Sequence, residues 1–112
     1  MDNLRIYKKG LHLVVEVYML LKTNTSLQRD YSLCDQIKRA SVSVSANIAE
    51  GYYRSRKQSK NYLQISSGSA NEVVTLLRII QLVYKVNTEK LQSEFILLGK
   101  QINSFSSSFG ED

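Results

Sequence analysis

Leu91, Phe95, Leu98, Ile102, Phe105 and Phe109 follow one another at intervals of four, three, four, three and four residues. A repeat averaging 3.5 residues lines up on one side of an α-helix, and such a seam is buried only when other helices lie along it. The rest of the chain must therefore supply partner helices, and its patterning does. Between residues 3 and 22, Leu4, Tyr7, Leu11, Val14, Val15, Tyr18 and Leu21 form one helical face, with a second row, Ile6, Leu13, Val17 and Leu20, beside it. A sector this wide exceeds what one packing partner covers, so this helix is either central or faces another subunit.

Residues 32–50 predict a second helix. Ser32 serves as N-cap with Asp35 in the first turn, and Leu33, Ile37, Ala40, Val44 and Ile48 point inward. Gly51 is expected to end it, since glycine reaches positive φ without a Cβ clash, and residues 51–54 then form a turn. Ser55 and Gln58 have the spacing of a capping box at the start of a third helix over 56–85. Its inward row would be Tyr62, Ile65, Ser69, Val73, Leu76, Ile80 and Val83. The middle of this segment, Ser66-Ser-Gly-Ser-Ala-Asn71, has poor helix propensity, but the apolar phase is the same on both sides of it. Small side chains there let a neighbouring helix come close. Asn87 or Thr88 would cap the last helix, 88–107, and Ser106-Ser-Ser-Phe-Gly110 would fray. The polar, aperiodic stretch 23–30 reads as a connection.

A chain of 112 residues without proline fits one domain. Long helices joined by three short connections imply an all-α, antiparallel up-down-up-down four-helix bundle.

Charge is unevenly placed. Residues 1–60 hold eleven Lys and Arg against five Asp and Glu, whereas residues 61–112 hold four against five. The basic half points to an anionic partner, with nucleic acid or an acidic protein face ahead of a membrane; the alternative is a solubilising surface. Cys34 is the single cysteine, which excludes an intramolecular disulfide and a cysteine-rich zinc site and suits a reducing compartment. The longest uncharged apolar run, Val17 to Leu21, is far below the roughly 20 residues that span a bilayer. The expectation is a cytoplasmic protein without membrane contact.

Polar residues concentrate where the second and third helices fold back on each other. With a turn near 53–54, positions summing to about 108 should be level, which sets Arg39 within a turn of Glu72. An Arg39–Glu72 pair bridging the helices is expected, with Asn47 and Glu50 as further groups of a structural polar network; the alternative is a solvated Arg39 and a Glu72 bound only locally. Lys38, Arg54, Arg56, Lys57 and Lys60 should gather at the hairpin end with Tyr52 and Tyr53 between them. Lysine and arginine neutralise phosphates and exposed tyrosines stack on unpaired bases, so these seven residues are the candidate nucleic-acid surface. The tyrosines could equally pack against another subunit. Enzymatic patterns are weak. His12 is the only histidine, no glycine-rich phosphate loop occurs, and the acids are not paired for metal or acid-base chemistry, so no catalytic residue, metal or cofactor is expected. Arg5 and His12 have an Arg-x6-His spacing similar to helical ribonucleases, but in the first helix rather than late in the domain.

The segments Tyr31-Ser-Leu-Cys-Asp-Gln-Ile-Lys-Arg-Ala40, Ser45-Ala-Asn-Ile-Ala-Glu-Gly51, Arg54, Tyr62-Leu-Gln-Ile-Ser-Ser-Gly-Ser69 and Glu72 together resemble the 23S rRNA intervening-sequence proteins. That family is similar to the accessory proteins of diversity-generating retroelements, which work with a reverse transcriptase and nucleic acid. The resemblance implies a four-helix bundle able to assemble as a homopentameric ring. Leu27-Gln-Arg-Asp30 lacks a proline often found in that family's first connection, and Ser66-Ser67 stands where alanine is common. The combined expectation is a non-enzymatic oligomer with a basic surface for RNA or DNA. The competing one is a self-assembling scaffold that binds a protein such as a reverse transcriptase.

Overall fold

The computed structural model describes residues 3–109. Five helices follow in order: α1 (Asn3–Leu21), α2 (Thr25–Arg29), α3 (Tyr31–Gly51), α4 (Arg56–Tyr84) and α5 (Glu89–Ser107), with no strand among the described residues. The four long helices form a rod of 47 × 20 × 19 Å in which α1 and α4 each pack against both α3 and α5. Lys38 lies over the Tyr18 ring, Ser66 meets Val44, and Thr88 meets Leu77, so each long helix runs against its predecessor. Phe95, Ile6, Leu13, Ile37, Ile48, Leu63, Leu77, Ile80, Leu98 and Ile102 are among the side chains closed off completely in the shared core. Burying each of these stabilises the fold by roughly 1.5–3 kcal/mol relative to exposure.

The inward rows of α3 and α5 are those that their periodicity predicts, but α1 and α4 are turned about their axes. In α1 the core follows the narrower row through Ile6, Gly10, Leu13 and Val17 and takes Leu21 from the wider one, while Leu4, Leu11, Val15 and Tyr18 stay exposed and Leu20 is half-buried. Gly10 is the reason. It lies on the inward row directly against Ser45 of α3, and a Cβ there would overlap the Ser45 hydroxyl. Close approach at a glycine fixes the rotation of α1 more firmly than a count of apolar side chains does. In α4 the core runs through Leu63, Ser66, Ser67, Ala70, Val73, Val74, Leu76, Leu77 and Ile80, leaving Ile65 and Val83 exposed rather than inward. Serine hydroxyls pull this row to α3.

The α3–α4 contact is made by small groups. Ser59 Oγ donates to the Gly51 carbonyl at 2.5 Å, Ser66 Oγ to the Val44 carbonyl at 2.6 Å, and Ser43 and Ser69 hydroxyls pair at 2.8 Å. These pairs sum to 110, 110 and 112, a register one to two residues beyond the expected 108. Ser66-Ser-Gly-Ser-Ala-Asn71 is continuous helix because its hydroxyls find partners across the interface, which outweighs weak local propensity. Ser45 is the exception: its buried hydroxyl has no hydrogen-bond partner.

Several helix ends differ from expectation. The connection 23–30 contains α2, because Asn24 Oδ1 accepts from the Leu27 amide at 2.8 Å and Leu27 is wholly buried. Five residues are too few to show periodicity. Asp30, not Ser32, caps α3, accepting from the Leu33 amide at 3.1 Å and from the Tyr84 hydroxyl at 2.6 Å. Gly51 is the last helical residue rather than a positive-φ terminator, and Tyr52 caps α3 in right-handed conformation. Glycine is needed at 51 for packing, since a Cβ would stand 3.2 Å from Tyr62 Cβ. Ser55 accepts from the Gln58 amide at 3.3 Å as expected. Lys85 ends α4 at φ 60°, φ being positive at no other described non-glycine residue. In the segment expected to fray, α5 reaches Ser107, Ser106 is buried, and the Phe109 ring packs on Phe105 at 5.2 Å. Gly110 lies outside the described residues.

Candidate nucleic-acid interface

The end of the rod formed by the α3–α4 turn carries most of the candidate residues. Gly51 closes α3, the Arg54 amide donates back to its carbonyl at 3.2 Å, and Ser55 starts α4, so Tyr52, Tyr53, Arg54, Arg56 and Lys57 all project from one tight reversal. All five are exposed, Tyr53 by 92%. Its ring meets that of Tyr52 edge to face at 4.5 Å. The Arg54 guanidinium is held by the Glu50 carboxylate at 2.6 Å and lies over the Tyr62 ring at 5.6 Å, which partly neutralises it. The Arg56 guanidinium lies over the Phe109 ring at 5.9 Å, and half-buried Lys60 is one turn further along α4.

Lys38 is not part of this cluster. It precedes Gly51 by thirteen residues, about 20 Å along a helix, and its ammonium sits 5.0 Å from the Tyr18 ring. The expected Arg39–Glu72 bridge is also absent. Arg39 Nε donates to Asp35 Oδ2 at 2.8 Å on its own helix, both side chains are largely exposed, and Glu72 is exposed on α4. The positions are nearly level, but each points to solvent, where an i, i+4 partner is reached with less desolvation. Asn47 does join a polar network, donating to the Ser43 carbonyl at 2.8 Å and hydroxyl at 2.9 Å, whereas Glu50 serves Arg54.

Sequence reasoning overlooked Arg5, Lys8 and Lys9. Antiparallel packing brings the start of α1 beside the end of α3, so these cations join the same end of the rod. Arg5, Lys8 and Lys9 line a cleft of about 390 Å³ with Glu94, Leu97, Leu98 and Gln101 of α5, and Lys9 pairs with Glu94 at 3.0 Å. The up-down topology was enough to find them. Of the nearby acids, Glu50 is paired with Arg54 at this end, while Lys9 is drawn to Glu94 farther along the rod.

His12 and Glu16 face each other at 3.5 Å on the exposed side of α1, 60% and 50% accessible, a distance and exposure suited to a solvated pair. No group of acids, histidines or cysteine suitable for holding a metal occurs among the described residues. At the opposite end, the Cys34 thiol donates to the Leu27 carbonyl at 3.2 Å, and burial raises its pKa, which keeps it as the unreactive thiol. No described helix is long and apolar enough to cross a membrane.

Comparison with known proteins fits this architecture. A solved structure from Bacteroides thetaiotaomicron, a protein of unknown function from the S23 ribosomal protein family, superposes with a TM-score of 0.84 at 24% identity, covering 96% of this chain and 99% of that one. Comparison with curated proteins finds no match. The sequence pattern of the 23S rRNA-intervening sequence proteins matches residues 2–105. With nearly its whole length matched, the chain belongs to the 23S rRNA-intervening sequence protein family.

Proposed function

We propose that this protein is a non-catalytic, self-associating helical bundle whose basic end binds RNA or DNA in the cytoplasm. The observation that carries the reading is the exposed run Tyr52, Tyr53, Arg54, Arg56 and Lys57 at the α3–α4 reversal, with Lys60 one turn further on and further cations, Arg5 and Lys8, on the first turns of α1. Phosphate neutralisation by such cations releases counterions and makes binding salt-dependent. Self-association is supported by the apolar stripe that the rotation of α1 leaves outside, Leu11, Val15 and Tyr18. A homopentameric ring, as the family resemblance implies, would repeat the basic end and raise affinity through multivalency.

The same stripe supports the second reading, a scaffold that binds a protein partner such as a reverse transcriptase. Salt-titrated fluorescence anisotropy with short RNA and DNA separates the two. Binding should weaken with salt, and joint replacement of Arg54, Arg56 and Lys57 by Gln should lower the log–log salt slope by roughly two to three. Affinity unchanged in the triple variant would refute the assignment of the basic end. Light scattering on the wild-type protein tests assembly, and a monomer mass would refute it.

A further inference from the structure

The first turn of α1 and the last turn of α3 part at the basic end, leaving an open cleft of about 270 Å³ walled by Asn3, Leu4, Tyr7, Ala49, Tyr52 and Tyr53. We propose that this cleft receives one unpaired nucleobase of a single-stranded nucleic acid while the flanking phosphates lie on the cations beside it. The proposal rests on the nucleic-acid reading above and adds to it a ligand form and a pocket.

Size and chemistry both select a base. The volume is just below the range of about 300–1,000 Å³ typical of small-molecule pockets, so a single planar heterocycle fits it. Its walls contain no charged side chain, so a phosphate has no partner inside, whereas an apolar ring face is well matched to Leu4, Ala49 and the tyrosines. The Tyr52 and Tyr53 rings stand at 89° to each other, so a base stacked on one meets the other edge-on, both favourable aromatic arrangements. Asn3 contributes an amide at the wall, able to donate and accept along a base edge.

The surroundings then decide the polymer. Arg54 follows Tyr53 directly and Arg56 and Lys57 open the next helix, so the cleft has the exposed cations of the hairpin beside it, with Arg5 and Lys8 on the α5 side of α1. An aromatic unit that must arrive with negative charge next to it is a nucleotide within a strand. A duplex keeps its bases stacked and paired, which closes the cleft to it. Exposed Tyr53 and Ala49 need no internal rearrangement to admit the ligand.

The test compares a labelled oligo(dT) with an abasic oligomer of equal length, by anisotropy at low salt on the intact protein. Stacking of one base predicts roughly 5- to 150-fold tighter binding of oligo(dT). Tyr53→Ala, which removes a stacking face, and Ala49→Phe, which fills the cleft, should each abolish most of that preference without changing abasic affinity. Circular dichroism should show both variants fully helical. Equal wild-type affinity for the two oligomers overturns the cleft assignment while leaving the nucleic-acid reading intact. So does a Tyr53→Ala effect of the same size on both, or a fall in assembly mass in Tyr53→Ala without any base preference, which would make the cleft a subunit contact. If neither oligomer binds the wild type, the nucleic-acid reading fails and the cleft proposal with it.

Discussion

Gly10 and Ser45 should be energetically coupled, and the coupling can be sized from the structure. A methyl at position 10 overlaps the Ser45 hydroxyl, but the next atoms it meets are Ser45 Cβ at 3.5 Å and Cα at 3.7 Å, ordinary contacts. The hydroxyl is a short side chain with other staggered positions, so overpacking in Gly10→Ala sits at the lower end of its range, about 1–2 kcal/mol. Against this stands a gain of about 1 kcal/mol from replacing glycine inside a helix. The single variant should therefore be neutral to about 1 kcal/mol less stable. Ser45→Ala removes a buried hydroxyl that lacks a partner and should stabilise by about 1 kcal/mol. In the double variant the overlap is gone and both gains remain, so it should exceed the wild type by about 2 kcal/mol. The coupling is then about 1–2 kcal/mol and favourable. Urea denaturation followed by circular dichroism, at one fixed protein concentration because assembly adds to apparent stability, gives all four values. Additivity within about 0.5 kcal/mol would refute the close α1–α3 approach and with it the explanation of why α1 buries its narrower row.

Lys85→Gly should stabilise the bundle by up to about 1 kcal/mol in the same assay, since the left-handed conformation at φ 60° is unfavourable for lysine and natural for glycine. Asp30 and Tyr84 make stability fall at both ends of the pH scale. The Tyr84 hydroxyl and then the Leu33 amide lower the Asp30 pKa below 3.8, so its contribution is complete above that value and is lost as acid titrates the folded carboxylate. Asp30 in turn raises the Tyr84 pKa above 10.0, so the phenol's contribution is complete below that pH and is lost as alkali titrates the folded form. Denaturation of wild type and Tyr84→Phe between mildly acidic and strongly acid pH should converge as Asp30 protonates; a constant gap would refute the linkage.

What could be read from the sequence depended on how narrow each apolar face was. α3 and α5 carry one row each, and those rows are the core. α1 carries two, and choosing between them needed the contact at Gly10, which periodicity does not register. In α4 the serines were legible as small but not as donors, so the row was placed to include Ile65 and Val83. The hairpin end was legible because Gly51, Tyr52, Tyr53 and Arg54 are contiguous. Lys38 was misplaced because the thirteen helical residues between it and Gly51 were not converted into rise along the axis, and Arg5 and Lys8 were missed because residues distant in sequence were not brought together by the topology. Arg39 and Glu72 are level as the register implies, but level positions on a helix pair still have outward sides, and both residues occupy them.

The hydroxyls between α3 and α4 have a consequence for which changes in length the hairpin can tolerate. Ser59 and Ser66 are seven residues apart and reach carbonyls that are also seven apart, at Gly51 and Val44. A heptad inserted into both helices at level positions restores every donor to a carbonyl, whereas one residue removed from either side turns the donors beyond it by about 100°, away from their carbonyls. In this chain the lengths of α3 and α4 should therefore change only in matched steps of a repeat, and the arithmetic is enforced by serine rather than by leucine.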